Sequence, residues 1–220
     1  MSVRKKAFVP KEYYHLYNRG NSKQRIFHVS HDYNHFVGLL YACNSVNNFR
    51  IYGLNKEETP YDFERGGLLV NIGAYCLMPN HFHILITQTE KGDISKFMQK
   101  VSTAYVMYYN KKYKRTGSLF EGKFKAEHLY RDPYLKYIFS YIHLNPVKLI
   151  NKHWKERGIK NKKVVLDYLS RYQYSSYLDY LGKERIQNKI LNREAFPGYF
   201  PTEKEFSKEI FEWISFNKND

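Results

Sequence analysis

An α+β fold built on an antiparallel sheet is predicted by three features of the sequence. Short aromatic and β-branched segments alternate with two segments of helical periodicity in the order β-α-β-β-α-β, and a further helix follows them. The chain has 220 residues, of which 43% are hydrophobic and 26% charged, as in an ordinary globular domain. No internal repeat or low-complexity tract interrupts this pattern. The chain is therefore predicted to form one domain, or one domain with an appended segment.

The first part of the chain predicts a strand, a helix and an insertion. Residues 12–19, EYYHLYNR, are aromatic and β-prone, and they stop at a Gly-Asn turn pair. Apolar residues then recur at helical spacing from a cap at about residue 30 to about residue 46. The polar stretch 47–67 is longer than a compact core needs, and we expect it to be a surface loop or a hairpin insertion.

The middle of the chain predicts the remaining strands and two helices. Residues 68–78 and 81–88 read as neighbouring strands across a Pro-Asn turn, and an amphipathic helix follows over 94–113. Residues 119–130 predict the last strand. The Asp-Pro pair at Asp132 then starts a helix, with aspartate as the cap and proline at the first helical position, and this helix ends before a second proline. This order predicts a ferredoxin-like antiparallel sheet with helices on one face.

The chain changes character after this helix. Residues 147–193 carry twelve Lys and Arg against four acids, whereas 201–220 carry five acids against three lysines. We therefore predict a compact domain over 1–149 and a basic, mainly helical C-terminal extension over 150–220.

The charge and the aromatic content indicate a polyanionic partner. Thirty-six Lys and Arg against 21 Asp and Glu leave a net charge of +15 and a pI of about 9.6. Such an excess suits nucleic acid or an acidic membrane surface, although a solvated basic surface without a ligand is the simpler alternative. The 22 Tyr, 15 Phe and 2 Trp favour single-stranded nucleic acid, because bases stack on flat rings.

Other classes of protein are excluded by the same inspection. No run of apolar residues is long enough to cross a bilayer, and the N-terminus has no secretory signal. Cys43 and Cys76 cannot form a disulfide framework, so a reduced cytoplasmic setting is expected.

The sharpest local motif is His81-Phe-His83. In a strand the residues i and i+2 point to the same face, roughly 6.5–7 Å apart at the Cα atoms. The two imidazoles could therefore converge on one divalent cation while Phe82 enters the core on the opposite face. A pair of surface histidines is the alternative, and the motif alone does not decide between them.

A second motif is formed by Tyr141 and Asn145, which share one helical face because they are four residues apart. The phenol could act as a nucleophile, and the amide oxygen could complete a site for Mg²⁺ or Mn²⁺. The alternative for Tyr141 is simple packing of the helix onto the sheet. Tyr137 lies one turn earlier as a rival. His143 is only two residues from Tyr141, and we expect it at the surface or on DNA.

Other tyrosines have different expected roles. Tyr105 continues the apolar stripe of its helix and is predicted to be core, whereas Tyr109 and Tyr113 lie near a basic loop and could stack on bases. The run from Tyr172 to Tyr180 is predicted to pack on the core.

Six segments of the chain together resemble a known family. They are YHLYNRGNSKQRIF, LMPNHFHILI, the helix containing YVMYYN, RTGSLFEGKFKAE, YIHLNPV and YQYSSYLDY. In this order they resemble the single-tyrosine HUH transposases, and among these the REP-associated tyrosine transposases of the insertion-sequence-200-like family. The resemblance covers about residues 10–182, and a joint match is far more specific than any single motif.

The resemblance implies a role for each matching residue. His81, His83 and Asn145 would hold Mg²⁺ or Mn²⁺, and Tyr141 would be the nucleophile. Residues Arg19, Gly20 and Asn21 stand where this branch contacts guide nucleotides beside its hairpin. The DNA backbone is expected on Lys111, Lys112, Lys114, Arg115, Lys123 and Lys125.

The activity implied by the resemblance is cleavage and joining of single-stranded, hairpin-associated DNA through a 5′-phosphotyrosine intermediate. The enzyme would be cytoplasmic and nucleoid-associated, without a membrane partner, and a monomer or a homodimer. Two alternatives remain: a DNA- or RNA-binding regulator that does no chemistry, and a rolling-circle type nickase in which Tyr137 also acts.

Overall fold

The computed structural model of the protein describes residues 7–49 and 58–215. Its centre is a four-stranded sheet in the order β2-β3-β1-β4, with each pair of neighbours antiparallel. The strands are β1 Tyr13–Arg19, β2 Val70–Met78, β3 His81–Gln88 and β4 Lys125–His128. The predicted α+β class and the β-α-β-β-α-β order are confirmed.

Two helices pack on one face of the sheet, as the sequence predicts. They are α1 Ser30–Ala42 and α2 Asp93–Lys112. Alternation along β3 sends Phe82 to this face, where its ring lies 5.0 Å from that of Phe36 and is fully buried. Tyr105 is also fully buried, and its hydroxyl donates to the carbonyl of Ile26 at 2.5 Å. These residues belong to the first core, and the core prediction for Tyr105 is confirmed.

The opposite face of the sheet is covered by α3 Asp132–Leu144 and by the C-terminal extension. The helices of the extension are α4 Trp154–Arg157, α5 Lys162–Leu169, α6 Tyr177–Tyr180 and α7 Glu203–Ser215. Their apolar residues form a second core together with α3 and with Cys76 and Leu85 of the sheet. The extension is thus helical, as predicted, and it shares a core with the sheet; the division at residue 150 stays a prediction.

The extension is joined to the edge strand β2 by backbone hydrogen bonds. The amide of Ser176 donates to the carbonyl of Tyr75 at 2.9 Å, and the amide of Leu77 donates to the carbonyl of Tyr174 at 2.9 Å. The hydroxyl of Tyr180 donates to a third β2 carbonyl, that of Gly73, at 2.8 Å. The aromatic run from Tyr172 to Tyr180 therefore packs on the sheet, as predicted.

His143 is buried, and the expectation that it lies at the surface or on DNA was wrong. Its side chain is fully buried, and its Nε2 lies 2.7 Å from the hydroxyl of Ser176. Burial lowers the pKa of His143 to about 3, so the imidazole is neutral. The reason is that the extension covers the side of α3 opposite Tyr141, which the helix alone would leave in solvent.

The insertion predicted over 47–67 lies partly outside the described residues, which resume at residue 58. Its described part forms a 3-10 turn over Pro60–Asp62 that packs on α1. Tyr61 is buried, and a Cβ atom at Gly38 would lie 2.9 Å from the ring of Pro60, so only glycine allows this close approach. This part of the insertion is therefore packed against the first core. Within the described ranges, no helix is long and apolar enough to span a membrane.

Candidate active site

The two histidines of the motif lie on β3, one of the two central strands of the sheet. They face the second core side, opposite Phe82, and their ring centroids are 5.0 Å apart. His83 is buried, whereas His81 is partly exposed. The i, i+2 geometry that the sequence predicts for this pair is therefore present.

Helix α3 brings Tyr141 to this pair. The Tyr141 ring is edge-on to that of His83, with ring centroids 5.5 Å apart. Asn145, one turn later, is buried at the C-terminal end of α3, and its Nδ2 donates to the carbonyl of Tyr141 at 2.8 Å. Burial raises the pKa of the Tyr141 phenol, and the side chain of Asn145 opposes this rise only in part. Tyr141 thus contacts two of the predicted residues, His83 and Asn145, and the third, His81, lies beside His83.

The free acceptor atoms at this place fit a divalent cation. Nε2 of His83 and Oδ1 of Asn145 are both buried, and neither has a hydrogen-bond partner in the part of the chain that the structure describes. Among residues 7–49 and 58–215, no three His, Cys, Asp or Glu side chains are arranged to hold a metal ion. A cation on His81 and His83 would therefore take a third protein ligand from the amide oxygen of Asn145. The carboxamide oxygen is a donor that suits Mg²⁺ or Mn²⁺, whereas imidazole is more typical of transition-metal sites, so the predicted ion stays a prediction.

A third histidine, which the sequence motifs do not reveal, supports His83 from β1. Nε2 of His15 lies 2.8 Å from Nδ1 of His83, and both rings are buried. On its other side, Nδ1 of His15 is 4.0 Å from a carboxylate oxygen of Glu127 on β4. Sequence alternation places His15 on one face of β1, but only the order of the strands reveals that this face meets His83.

The contact between the two rings allows one proton arrangement that suits metal binding. With the proton of His15 on Nδ1, Nε2 of His15 accepts the proton on Nδ1 of His83, and Nε2 of His83 keeps a free lone pair. Nδ1 of His15 is buried without a hydrogen-bond partner among the described residues, and the carboxylate of Glu127 at 4.0 Å is the nearest group of opposite charge that pairs with it. Burial lowers the pKa of both histidines, that of His15 to about 4, so both rings are neutral at pH 7. His15 therefore has the position of the outer hydrogen-bond partner of a metal-binding histidine.

Two lysines of the region after α3 surround the Tyr141 phenol. The ammonium of Lys155 lies 4.4 Å from the centre of the Tyr141 ring, and that of Lys148 lies 5.8 Å from it. Burial lowers the pKa of His81 to about 4, and the charges of Lys148 and Arg19 add to this effect. Burial also raises the pKa of Tyr141, and the neighbouring phenol of Tyr137 acts in the same direction. The cleft is thus electropositive, and its phenol is protonated at neutral pH.

The rival tyrosine, Tyr137, lies beside this group. Its ring is stacked on that of Tyr141 with centroids 5.9 Å apart, and its hydroxyl accepts from the ammonium of Lys155 at 3.5 Å. Of the two rings, that of Tyr141 contacts His83, and both tyrosines line the same cleft. The assignment of Tyr141 as the nucleophile stays a prediction.

The residues predicted to contact guide nucleotides lie at the end of β1, next to His81 in the register of the sheet. The guanidinium of Arg19 makes a two-pronged ion pair with Glu121, with both contacts at 2.8 Å. A Cβ atom at Gly20 would lie 2.3 Å from the carbonyl oxygen of Gln24, so the turn requires glycine. Asn21 is exposed. The position beside the histidines suits a nucleic-acid contact, which stays a prediction.

The predicted backbone-binding residues have different environments. Lys112 is held by the buried carboxylate of Asp32 at 2.5 Å, which also accepts from the hydroxyl of Tyr113 at 2.6 Å. Tyr109 is buried, and its hydroxyl lies 2.7 Å from Nε2 of His28. Base stacking by Tyr109 and Tyr113 is therefore not supported, because their rings belong to the packing of α2. Exposed side chains remain at Lys111, Lys114, Lys123 and Lys125, and Arg115 is partly buried.

Part of the chain matches the sequence model of a known protein family. A family model described as IS200-like transposase matches residues 68–145, about a third of the chain. This match runs from β2 to Asn145 and contains both histidines and Tyr141. No curated protein matches the chain significantly.

A solved structure also resembles the protein. It is that of a REP-associated tyrosine transposase bound to a REP hairpin, with a TM-score of 0.53 and 12% sequence identity over 85% of this chain and 90% of that one. At this identity the match shows that the fold is shared. The resemblance predicted from the sequence is thus confirmed: residues 68–145 match the IS200-like transposase model, and the fold is shared with a REP-associated tyrosine transposase.

Proposed function

We propose that the protein is a metal-dependent transposase that cleaves and rejoins single-stranded, hairpin-associated DNA through a 5′-phosphotyrosine on Tyr141. The observation that carries the proposal is that the ring of Tyr141 contacts that of His83 and its backbone is bonded by Asn145, while Nε2 of His83 and Oδ1 of Asn145 are buried without hydrogen-bond partners among the described residues. A protein that only binds DNA has no need to keep two such acceptors without partners beside a phenol.

Each residue of the site has its own role in the proposed reaction. His81, His83 and Asn145 would hold Mg²⁺ or Mn²⁺, which when bound withdraws electron density from a phosphodiester and offsets the charge that develops on it. His15 keeps the lone pair of His83 directed at this place. The ammonium groups of Lys148 and Lys155, close to the Tyr141 ring, attract the phosphate and stabilise a developing phenolate.

The cleavage step balances without a further reactant. The phenolic oxygen of Tyr141 attacks the phosphorus, a new O–P bond forms, and the bond from phosphorus to the 3′ oxygen breaks. The phenol gives its proton to water, and the departing 3′ oxygen takes up a proton to become a free 3′-OH. Attack of another 3′-OH on the phosphotyrosine reverses these events and rejoins the strand, so no ATP is required.

DNA is the proposed substrate for two reasons. The chain has a net charge of +15, the partly buried Lys148 and Lys155 lie at the cleft, and the exposed Lys123 and Lys125 lie at the start of β4. The structurally similar REP-associated transposase is bound to a hairpin. We therefore propose a hairpin with a single-stranded flank as the substrate of this chain.

The test is the formation of an SDS-stable protein–DNA adduct. Purified protein is incubated with labelled hairpin oligonucleotides from the DNA that flanks its gene, in Mn²⁺ or in Mg²⁺. We expect an adduct with the wild type, none with Tyr141→Phe and none in EDTA. Tyr137→Phe is the matched control, because it removes the same hydroxyl one turn earlier on the same helix, and it is expected to keep the adduct.

Each departure from this pattern has a definite meaning. An adduct that survives in Tyr141→Phe and disappears in Tyr137→Phe would assign the chemistry to the rival tyrosine. Tight binding of every hairpin with no adduct would favour the regulator that binds DNA without cutting it. Cleavage that persists in EDTA would refute the metal role of the two histidines.

A further inference from the structure

A cavity of about 360 Å³ opens beside Tyr141, and its tryptophan side has no role in the chemistry described above. Its size falls in the range of small-molecule sites, about 300–1,000 Å³. Its lining includes Tyr137 and both tryptophans of the chain, Trp154 and Trp213. We call this cavity the tryptophan pocket.

The walls of the tryptophan pocket are held in place from outside it. Nε1 of Trp213, on α7, donates to the carboxylate of Glu209 at 2.9 Å. The same carboxylate pairs with the ammonium of Lys136 on α3 at 2.7 Å, which ties the two helices together. The Trp213 ring then rests 5.2 Å from that of Tyr137. The aromatic wall is therefore formed before any ligand arrives, and Glu209 is already engaged.

The polar groups of the tryptophan pocket are two donors and the carboxylate of Glu156, which is exposed and also lines the cavity. Lys155 is half-buried, its ammonium is 4.4 Å from the Tyr141 ring and 5.5 Å from the Trp154 ring, and it has no carboxylate partner among the described residues. Nε1 of Trp154 is buried and has no hydrogen-bond partner in the part of the chain that the structure describes. The lining thus combines flat apolar faces, a cation and an unfilled N–H donor. An apolar ligand would leave both donors unsatisfied, and a bare anion would make no use of the rings.

We propose that the tryptophan pocket binds one nucleobase of the DNA strand, next to the phosphate that Tyr141 attacks. The base would stack on the aromatic wall, a backbone phosphate would pair with Lys155, and a carbonyl of the base would accept from Trp154. This site deepens the proposed function and rests on it. It would fix the position of the strand relative to Tyr141, and so the bond that is cut.

The experiment uses the fluorescence of the full-length protein. Both tryptophans line this pocket, so the emission of the chain reports on it alone. The probes are the four 2′-deoxynucleoside 5′-monophosphates, a single-stranded oligothymidylate and inorganic phosphate, with a free tryptophan derivative titrated in parallel to correct for absorption. We expect saturable quenching by the nucleotides and the oligonucleotide and none by phosphate. Equal quenching by phosphate, or no quenching by any probe, would overturn the proposal.

Matched variants then locate the contact. Trp213→Leu is expected to weaken oligonucleotide binding by about 5- to 140-fold, because one base–aromatic stack is worth about 1–3 kcal/mol and 1.4 kcal/mol is a factor of ten. Phe211→Leu is the control, since Phe211 is exposed on the same helix and lies outside the pocket. Equal effects of the two variants would refute the assignment. If Trp213→Leu fails to fold, the wild-type comparison of nucleotides with phosphate decides alone.

The outcome separates this proposal from the proposed function. Adduct formation on Tyr141 together with unchanged tryptophan emission would leave the transposase chemistry intact and refute the pocket. Quenching by nucleotides without an adduct on any hairpin would support the pocket as a nucleotide site and count against cleavage.

Discussion

Replacement of Asp32 by asparagine is expected to remove a large part of the stability of the fold. The side chain of Asp32, in the first turn of α1, is fully buried where α1 meets the end of α2. Its two oxygens accept five hydrogen bonds, from the backbone amides of His28 and Val29, the hydroxyls of Tyr108 and Tyr113, and the ammonium of Lys112. This carboxylate therefore joins the start of α1 to the end of α2.

The size of the loss follows from the geometry. Oδ2 accepts three of these hydrogen bonds and Oδ1 accepts two, so either orientation of an asparagine turns its NH₂ group towards at least two donors. A hydrogen bond to a charged group is worth about 1.5–3 kcal/mol, and breaking a buried ion pair costs about 3–5 kcal/mol. We expect a loss of about 3–5 kcal/mol from an unfolding free energy that is typically about 5–15 kcal/mol.

The assay is urea unfolding followed by circular dichroism. Asp62→Asn is the matched control, because Asp62 also accepts from a backbone amide and a hydroxyl, both of Thr59, but is exposed. We expect it to cost less than about 1 kcal/mol. A loss of less than about 1 kcal/mol in Asp32→Asn, or equal losses in the two variants, would refute the reasoning.

The Asp32 carboxylate also predicts how the stability of the fold depends on pH. Desolvation raises the pKa of Asp32, but hydrogen bonds from Lys112, Tyr113, His28 and Tyr108 outweigh it and bring the pKa well below its ordinary value. The pKa is lowered on folding, so the stability it contributes is fully present above the unfolded pKa of about 3.9 and is lost as the pH falls below that value. The stability difference between wild type and Asp32→Asn should therefore shrink below about pH 4.

Three further predictions concern the site and its surroundings. His15→Gln should weaken Mn²⁺ binding by about 10- to 100-fold, measured by electron paramagnetic resonance of the free ion; unchanged affinity would remove His15 from the support of the metal. Because burial lowers the pKa of His81 to about 4, its imidazole stays neutral well below pH 6. The Mn²⁺ affinity should therefore be constant from about pH 8 to 5 and decrease near pH 4. A decrease of the Mn²⁺ affinity centred near pH 6.5 would contradict this prediction. Lys112→Met should lower the unfolding free energy by about 1–3 kcal/mol, whereas Lys114→Met should change it by less than about 0.5 kcal/mol. Lys114→Met should instead reduce, by about one, the slope of the logarithm of DNA affinity against the logarithm of salt concentration. A larger loss of stability in Lys114→Met than in Lys112→Met would refute the ion pair as the main role of Lys112.

The sequence predicts those features that depend on local periodicity. Alternation with a period of two places His81 and His83 on one face and Phe82 on the other, and the spacing of four places Tyr141 and Asn145 together. Both are properties of a single element, so no knowledge of the rest of the fold is required.

The features that the sequence misses depend on contacts between distant segments. His143 faces away from Tyr141, as its spacing predicts, but the extension 33 residues later covers that side and buries it. Lys112 belongs to a basic run, yet its ammonium pairs with the carboxylate of Asp32, which lies 80 residues earlier in the chain. His15 meets His83 only because β1 pairs with β3. In each case the partner is remote in sequence, and no periodic pattern indicates it.

The two halves of the candidate site are held by different forces. The histidines sit on β3, whose backbone is hydrogen-bonded on both sides, whereas Tyr141 sits on a helix held against the sheet by side-chain packing in the second core. A fluctuation that loosens this packing would carry Tyr141 and Asn145 away together and leave only the two histidines in place. On the proposed function, strand cutting should therefore be lost at a lower urea concentration than the one that unfolds the sheet.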